Sequence, residues 1–220
     1  MKTFYELQEG LNDPNIFKAF FLAGGPGSGK SYVVRRTTGG TGLKIVNSDP
    51  VFEKLLKKAG LSLKMPPEEL ERKEKVRGRA KEISKKQQTN YLDGRLGLII
   101  DGTGKDAEKI LFQKRHLEEL GYDTYMIFVN TSLDVALQRN VERERSLQPS
   151  FVTNSWKEVQ ENIGKFSNMF RQGMIVVDNN NADEDAFKEV WKRVQGLLKK
   201  KVTNTRAQNW MSMELAKRRR

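Results

Sequence analysis

The sequence predicts an α/β fold, a parallel sheet of about five strands with helices on both faces. Three observations lead there. Five short apolar runs recur along the 220 residues, the stretches between them carry helical patterning, and polar residues close each run. Strands this apolar belong to a sheet covered on both faces. Alternation of such runs with helices is the mark of a parallel α/β sheet.

The first run, Phe17-Lys18-Ala19-Phe20-Phe21-Leu22-Ala23, is apolar enough for a buried parallel strand, and a helix opens at Ser31-Tyr32-Val33-Val34. Between 38 and 42, Thr-Gly-Gly-Thr-Gly reads as a linker to a second strand over 43–47, which ends at Ser48-Asp49. Helical patterns cover 51–60 and 67–91 and lead to a third strand over 96–100, closed by Asp101. A helix over 105–120 precedes the fourth strand at 125–129. Helices over 133–145 and 154–170 precede the fifth at 174–177, and a last helix covers 184–199. A chain of this length suits one core with extensions. The expected organisation is one domain over 1–198, with a helical cap at about 66–92 and a lid at about 139–150, then a basic C-terminal tail over 199–220.

The chain has no cysteine, which excludes disulfides, thiolate metal sites and a cysteine nucleophile. No apolar run approaches membrane-spanning length and no signal-peptide pattern opens the chain, so a soluble, cytoplasmic protein without a membrane partner is expected. The net charge is +12, and eight basic residues against Glu214 alone place +7 of it from Leu197 onward. Such a stretch attracts nucleic acid or another polyanion, or serves solubility. Trp210 within it could stack on a base or anchor the tail to the domain. His116, the one histidine, reads as a surface residue of its helix.

After the first strand, Gly24-Gly25-Pro26-Gly27-Ser28-Gly29-Lys30-Ser31 fills the pattern G-x-x-x-x-G-K-S without a gap. Glycines let the backbone turn sharply and aim successive N–H groups at phosphates, and the new helix presents its positive end to the same anion. The sequence therefore predicts a P-loop NTPase-type sheet. Gly24, Gly25, Gly27, Ser28, Gly29, Lys30, Ser31 and Tyr32 are the residues expected around ATP or GTP, and the Ser31 hydroxyl is expected on Mg²⁺.

In open parallel sheets ligands sit beyond the carboxyl ends of the strands. Asp49 lies on that rim and can accept the proton of an acceptor hydroxyl, or it can cap the helix begun by Asp49-Pro50. Asp101 can hold Mg²⁺ through water and Thr103 can contact the acceptor; both residue types also serve local turns. No glutamate follows Asp101, which favours transfer to a bound acceptor over motor work. Arg139 and Arg143 share a helix face and can close over the γ-phosphate, or they pair with neighbours such as Glu142. The loop from 178 to 182 is a candidate adenine rim.

Together these residues resemble the polynucleotide kinase and zeta-toxin group of P-loop kinases over roughly 17–178. "GGPGSGKS" is close to the group's loop, "IVNSDPVFE" to its catalytic-aspartate segment, "LIIDGTGKD" to its Asp-x-Thr strand and "RNVERERSLQP" to its arginine lid. The resemblance implies an ATP- and Mg²⁺-dependent kinase with Lys30, Asp49, Arg139 and Arg143 as its catalytic set. The acceptor hydroxyl would lie on nucleic acid, with a small molecule such as a nucleotide sugar as the alternative partner; a nucleic-acid-binding ATPase is a third reading. Two positions depart from the group. Phe52 stands where polynucleotide kinases carry an acceptor-holding arginine, and Gly102 where their Asp-x-Thr strand often has an aspartate beside the threonine.

Overall fold

The computed structural model describes residues 11, 13, 15–63, 67–142 and 146–218. Five strands form one parallel sheet: β1 (Lys18–Ala23), β2 (Lys44–Val46), β3 (Leu98–Asp101), β4 (Asp123–Asn130) and β5 (Met174–Asp178). Their order across the sheet is β2-β3-β1-β4-β5. The chain starts in the middle, runs out to the β2 edge, returns through β3 and crosses over β1 to finish on the other side. Phe20 of β1 lies beside Ile99 of β3 and Tyr125 of β4. The reversal of winding therefore falls at the carboxyl end of β1, where such sheets leave a crevice.

Period-two alternation along β1 separates the two main cores. Phe20 and Leu22 face α1 (Lys30–Thr38) and α8 (Glu184–Lys199), packing with Val33 and Val194. Ala19 and Phe21 face the opposite layer, which includes α4 (Ala107–Glu119), α7 (Ile163–Phe170) and α9 (Thr205–Arg218). A smaller core of Phe52, Leu56, Leu61 and Ala80 joins α2 (Asp49–Lys58) to α3 (Leu70–Asp93). It holds α3 against the acceptor side of the rim.

Three expectations change. The helix expected over 154–170 is α6 (Pro149–Glu161) followed by α7, and it starts earlier because Pro149 is pre-set for the first helical turn. The junction is at Asn162, whose amide donates to the carbonyls of Gly104 (3.1 Å) and Lys105 (2.7 Å) and so ties the helix pair to the loop after β3. The helix expected over 133–145 is described as α5 (Leu133–Val141), and residues 143–145 lie outside the described residues. The stretch expected as a basic tail is, to residue 218, part of the body: α9 buries Ala207 and sets Trp210 edge-on to Phe17, centroids 5.4 Å apart. Among the described residues no helix is long and apolar enough to cross a membrane.

Candidate active site

The loop between β1 and α1 is shaped by backbone that only glycine adopts without strain. Gly24, Gly27 and Gly29 have φ of 149°, 79° and 80°. A β-carbon on Gly27 would overlap the Ala136 carbonyl of α5, and one on Gly24 would lie 2.6 Å from the Val129 carbonyl of β4. Gly25 passes over α6, where a β-carbon would lie 3.6 Å from the Cα of Trp156. The loop is thus clasped from behind by β4, α5 and α6, and it leads directly into the first turn of α1.

Its side chains are arranged around that cradle. The Lys30 ammonium donates to the carbonyls of Gly24 (2.5 Å) and Gly25 (3.1 Å), across the mouth of the loop. Ser31 is exposed in the first turn of α1. The Ser28 hydroxyl is buried with no hydrogen-bond partner among the described residues. The Ser28 carbonyl accepts from the Asn179 amide (2.8 Å), which comes from the loop after β5. Tyr32 turns its ring away to Phe187 of α8, at a centroid distance of 5.4 Å, so that what it gives the loop is main chain. Arg139 donates to the carbonyls of Asn179 (2.7 Å) and Asn180 (3.0 Å), with one guanidinium nitrogen 3.7 Å from where a Gly29 β-carbon would sit. The structure therefore brings Arg139 to the loop as a clamp on the expected adenine rim. Arg143 lies outside the described residues.

The acceptor side is assembled from side chains. Asp49 stands in the first turn of α2, one residue after the N-cap Ser48, and its carboxylate accepts from Arg77 of α3 (2.8 Å). Asn47 donates to the Asp101 carboxylate (2.6 Å) and accepts from the Asp49 amide (2.7 Å), fixing the ends of β2 and β3 to each other. Burial raises the Asp101 carboxyl above the usual carboxylate range, against the pull of Lys30 and with a further push from Asp49. Asp101 ends β3, the strand between β2 and β1, and so lies between the start of α2 and the phosphate loop. Thr103 is exposed beside it, and its carbonyl accepts from the Gly24 amide (2.9 Å), joining this loop to the phosphate loop.

Several residues of the site escaped sequence reading. Asn47 sits inside the quoted aspartate segment but carries no motif of its own, and Asn179, within the stretch 178–182 expected as an adenine rim, had no sign of its bond to Ser28. Arg77 had a faint signal in the basic face of its helix. Its guanidinium lies 3.7 Å from the centroid of the Phe52 ring, stacked over the residue that departs from the group pattern. Among the described residues there is no cluster of three or more acidic, histidine or cysteine side chains that could cage a metal. One hydroxyl and one carboxylate nevertheless fit Mg²⁺, which keeps several waters and takes its remaining ligands from substrate phosphates.

A central parallel sheet, a glycine cradle at the end of its first strand and a polar rim beside it define the P-loop kinase fold. The chain belongs to the AAA domain family AAA_33, matched over residues 20–164. No curated protein sequence matches it. Among solved structures it is similar to a putative kinase from Chloroflexus aurantiacus, with a TM-score of 0.57 and 16% identity, covering 83% of this chain and 98% of that one. It is also similar to the AvrRxo1-ORF1:-ORF2 structure with ATP (0.58, 14%, covering 84% and 67%). A third likeness is to the Pnkp1/Rnl/Hen1 RNA repair complex (0.53, 21%, covering 69% and 47%). At these identities the likeness concerns the fold.

Proposed function

We propose that the protein is an ATP- and Mg²⁺-dependent kinase that phosphorylates a hydroxyl on nucleic acid, either a 5′ end or a hydroxyl on a modified base. The observation that supports this reading is the setting of Asp49: it starts α2, is tied through Asn47 to Asp101 at the end of β3, and β3 lies next in the sheet to the strand that leads into the phosphate loop. In that position it accepts the proton of an acceptor hydroxyl. The acceptor oxygen bonds to the γ-phosphorus, the bond from phosphorus to the β–γ bridging oxygen breaks, and ADP leaves with that electron pair.

The glycine N–H groups and Lys30 hold the triphosphate, and Arg139 fixes the rim that faces the nucleotide. Ser31 and Asp101 would hold Mg²⁺, which when bound neutralises charge on the β- and γ-phosphates. The net charge of +12, with Arg79, Lys81, Lys85 and Lys86 exposed along α3, supports a polyanionic acceptor.

The test is transfer of label from γ-labelled ATP to 5′-hydroxyl DNA, 5′-hydroxyl RNA or a nucleotide-sugar mixture. Asp49→Asn is expected to slow transfer by about 10²- to 10⁴-fold with ATP affinity retained. Label on a polynucleotide, with affinity falling steeply as salt rises, is the expected result. Label on the nucleotide sugar alone would reassign the acceptor. Free phosphate alone, unaffected by Asp49→Asn, would replace the kinase reading with an ATPase.

A further inference from the structure

We infer that Arg77 selects the acceptor: it recognises a phosphate beside the reacting hydroxyl and, in binding it, releases Asp49. The inference rests on the proposed kinase reading for the meaning of Asp49, and it stands on the geometry of four groups. Arg77 projects from α3, and its side chain is 28% exposed on the rim. Its flat group is stacked 3.7 Å from the centroid of Phe52, whose ring is fully buried in the α2–α3 core. Its one hydrogen bond among the described residues is a single contact with Asp49, whose carboxylate is 55% exposed.

Each contact has a different strength. A half-exposed ion pair made through one N–H is weak, because water competes for both partners. A guanidinium stacked on an aromatic face is fixed in its plane by a ring that cannot move without opening a core. Arg77 is therefore held firmly from below and only loosely at its edge. The remaining N–H groups form a planar fork that suits two oxygens of a phosphate, a bidentate contact where Asp49 makes a single one. Exchange of Asp49 for a phosphate is then favourable and leaves the stack undisturbed.

The exchange also serves the reaction. A carboxylate that accepts from Arg77 is a weaker base toward a hydroxyl, because the guanidinium favours its ionised form, whereas an acceptor that brings its own phosphate relieves it on arrival. A neutral alcohol makes no such exchange. The acceptor class this defines is a hydroxyl compound with a phosphate on the same or the adjoining sugar. A free nucleotide and a polynucleotide end both meet that description.

Binding of thymidine 3′-monophosphate, of thymidine and of a 5′-hydroxyl oligothymidylate to the full chain, loaded with Mg²⁺ and a non-hydrolysable ATP analogue, tests the inference without relying on turnover. The wild type is expected to prefer the monophosphate to thymidine by about tenfold or more, as a charge-assisted contact gives. Arg77→Gln should bring the two within about twofold with the ATP analogue still bound. Phe52→Leu, which keeps an apolar core residue but removes the ring, should erode the preference part of the way. Asp49→Asn removes the competing carboxylate and should strengthen it. Equal or absent binding of the monophosphate in the wild type, or a preference that survives Arg77→Gln, overturns the inference. A loss in Arg77→Gln shared by the oligothymidylate assigns the phosphate to a polynucleotide; a loss confined to the monophosphate assigns it to a free nucleotide. Absence of label transfer with this binding pattern intact would count against the kinase reading and leave phosphate recognition standing.

Discussion

On the nucleotide side of the rim, Gly24 to Lys30 form a cradle of main chain, backed by the Val129 and Ala136 carbonyls and by Asn179. On the acceptor side, Asp49, Asp101, Asn47 and Arg77 meet as side chains drawn from β2, α2, β3 and α3. The difference shows how each half is specified. A main-chain cradle depends on a few glycines in fixed spacing within one segment. A side-chain cluster depends on how separate elements pack, and its members can move between elements if the chemistry arrives at the same point. Phe52 illustrates this, because the guanidinium over its ring comes from residue 77.

Gly27→Val should break the nucleotide half most severely. The new side chain meets the Ala136 carbonyl, at a φ of 79° that a β-branched residue does not tolerate. Measured by calorimetry, ATP affinity is expected to fall by more than about 100-fold, since both strain and overlap act on the loop. The acceptor half shares no backbone with this position, so thymidine 3′-monophosphate binding should stay close to wild type. A variant that still binds ATP normally would mean the loop is less constrained by α5 than its packing implies.

Asn179→Ala is a milder probe of the same half. It removes the donor to the Ser28 carbonyl and opens space beside Gly29, while Arg139 keeps its bonds to the main chain of residues 179 and 180. Loss of one buried hydrogen bond should weaken ATP binding by about tenfold in the same titration. An unchanged affinity would show that the loop after β5 supports the cradle through Arg139 alone.

What could be read in advance follows the same division. The five strands announced themselves as apolar runs, the edge strand β2 among them although none of its residues is fully buried, and the phosphate loop did so because its glycines answer to local geometry. Asp49 and Asp101 were legible as strand-end carboxylates, since parallel topology sends those ends to one rim. Arg77 was nearly hidden: the basic character of its long helix was the one signal, and only the packing of Phe52, Leu56 and Ala80 brings it to Asp49. Arg139 was read as a lid residue over the γ-phosphate, and its bonds to the carbonyls of residues 179 and 180 depended on the course of the loop after β5. Trp210 allowed two readings until the fold set it against Phe17, a contact between residues far apart in the chain.

Asn47 offers the smallest effect and the sharpest division between the halves. Its side-chain amide joins two acidic residues of the acceptor side, donating to the Asp101 carboxylate and accepting from the main-chain N–H of Asp49, and among the described residues it makes no hydrogen bond to the phosphate loop. Asn47→Ala removes both bonds from a partly exposed position, where water replaces much of what is lost. The turnover number for transfer is therefore expected to fall only about three- to tenfold, with ATP affinity unchanged. Asn47→Asp has nearly the same shape but faces Asp101 with an acceptor where a donor stood, adding negative charge beside two carboxylates. It should be the worse variant of the two. If aspartate is tolerated as well as alanine, the bond from Asn47 to Asp101 does not align the acceptor side, and Asp49 owes its position to the α2 backbone alone.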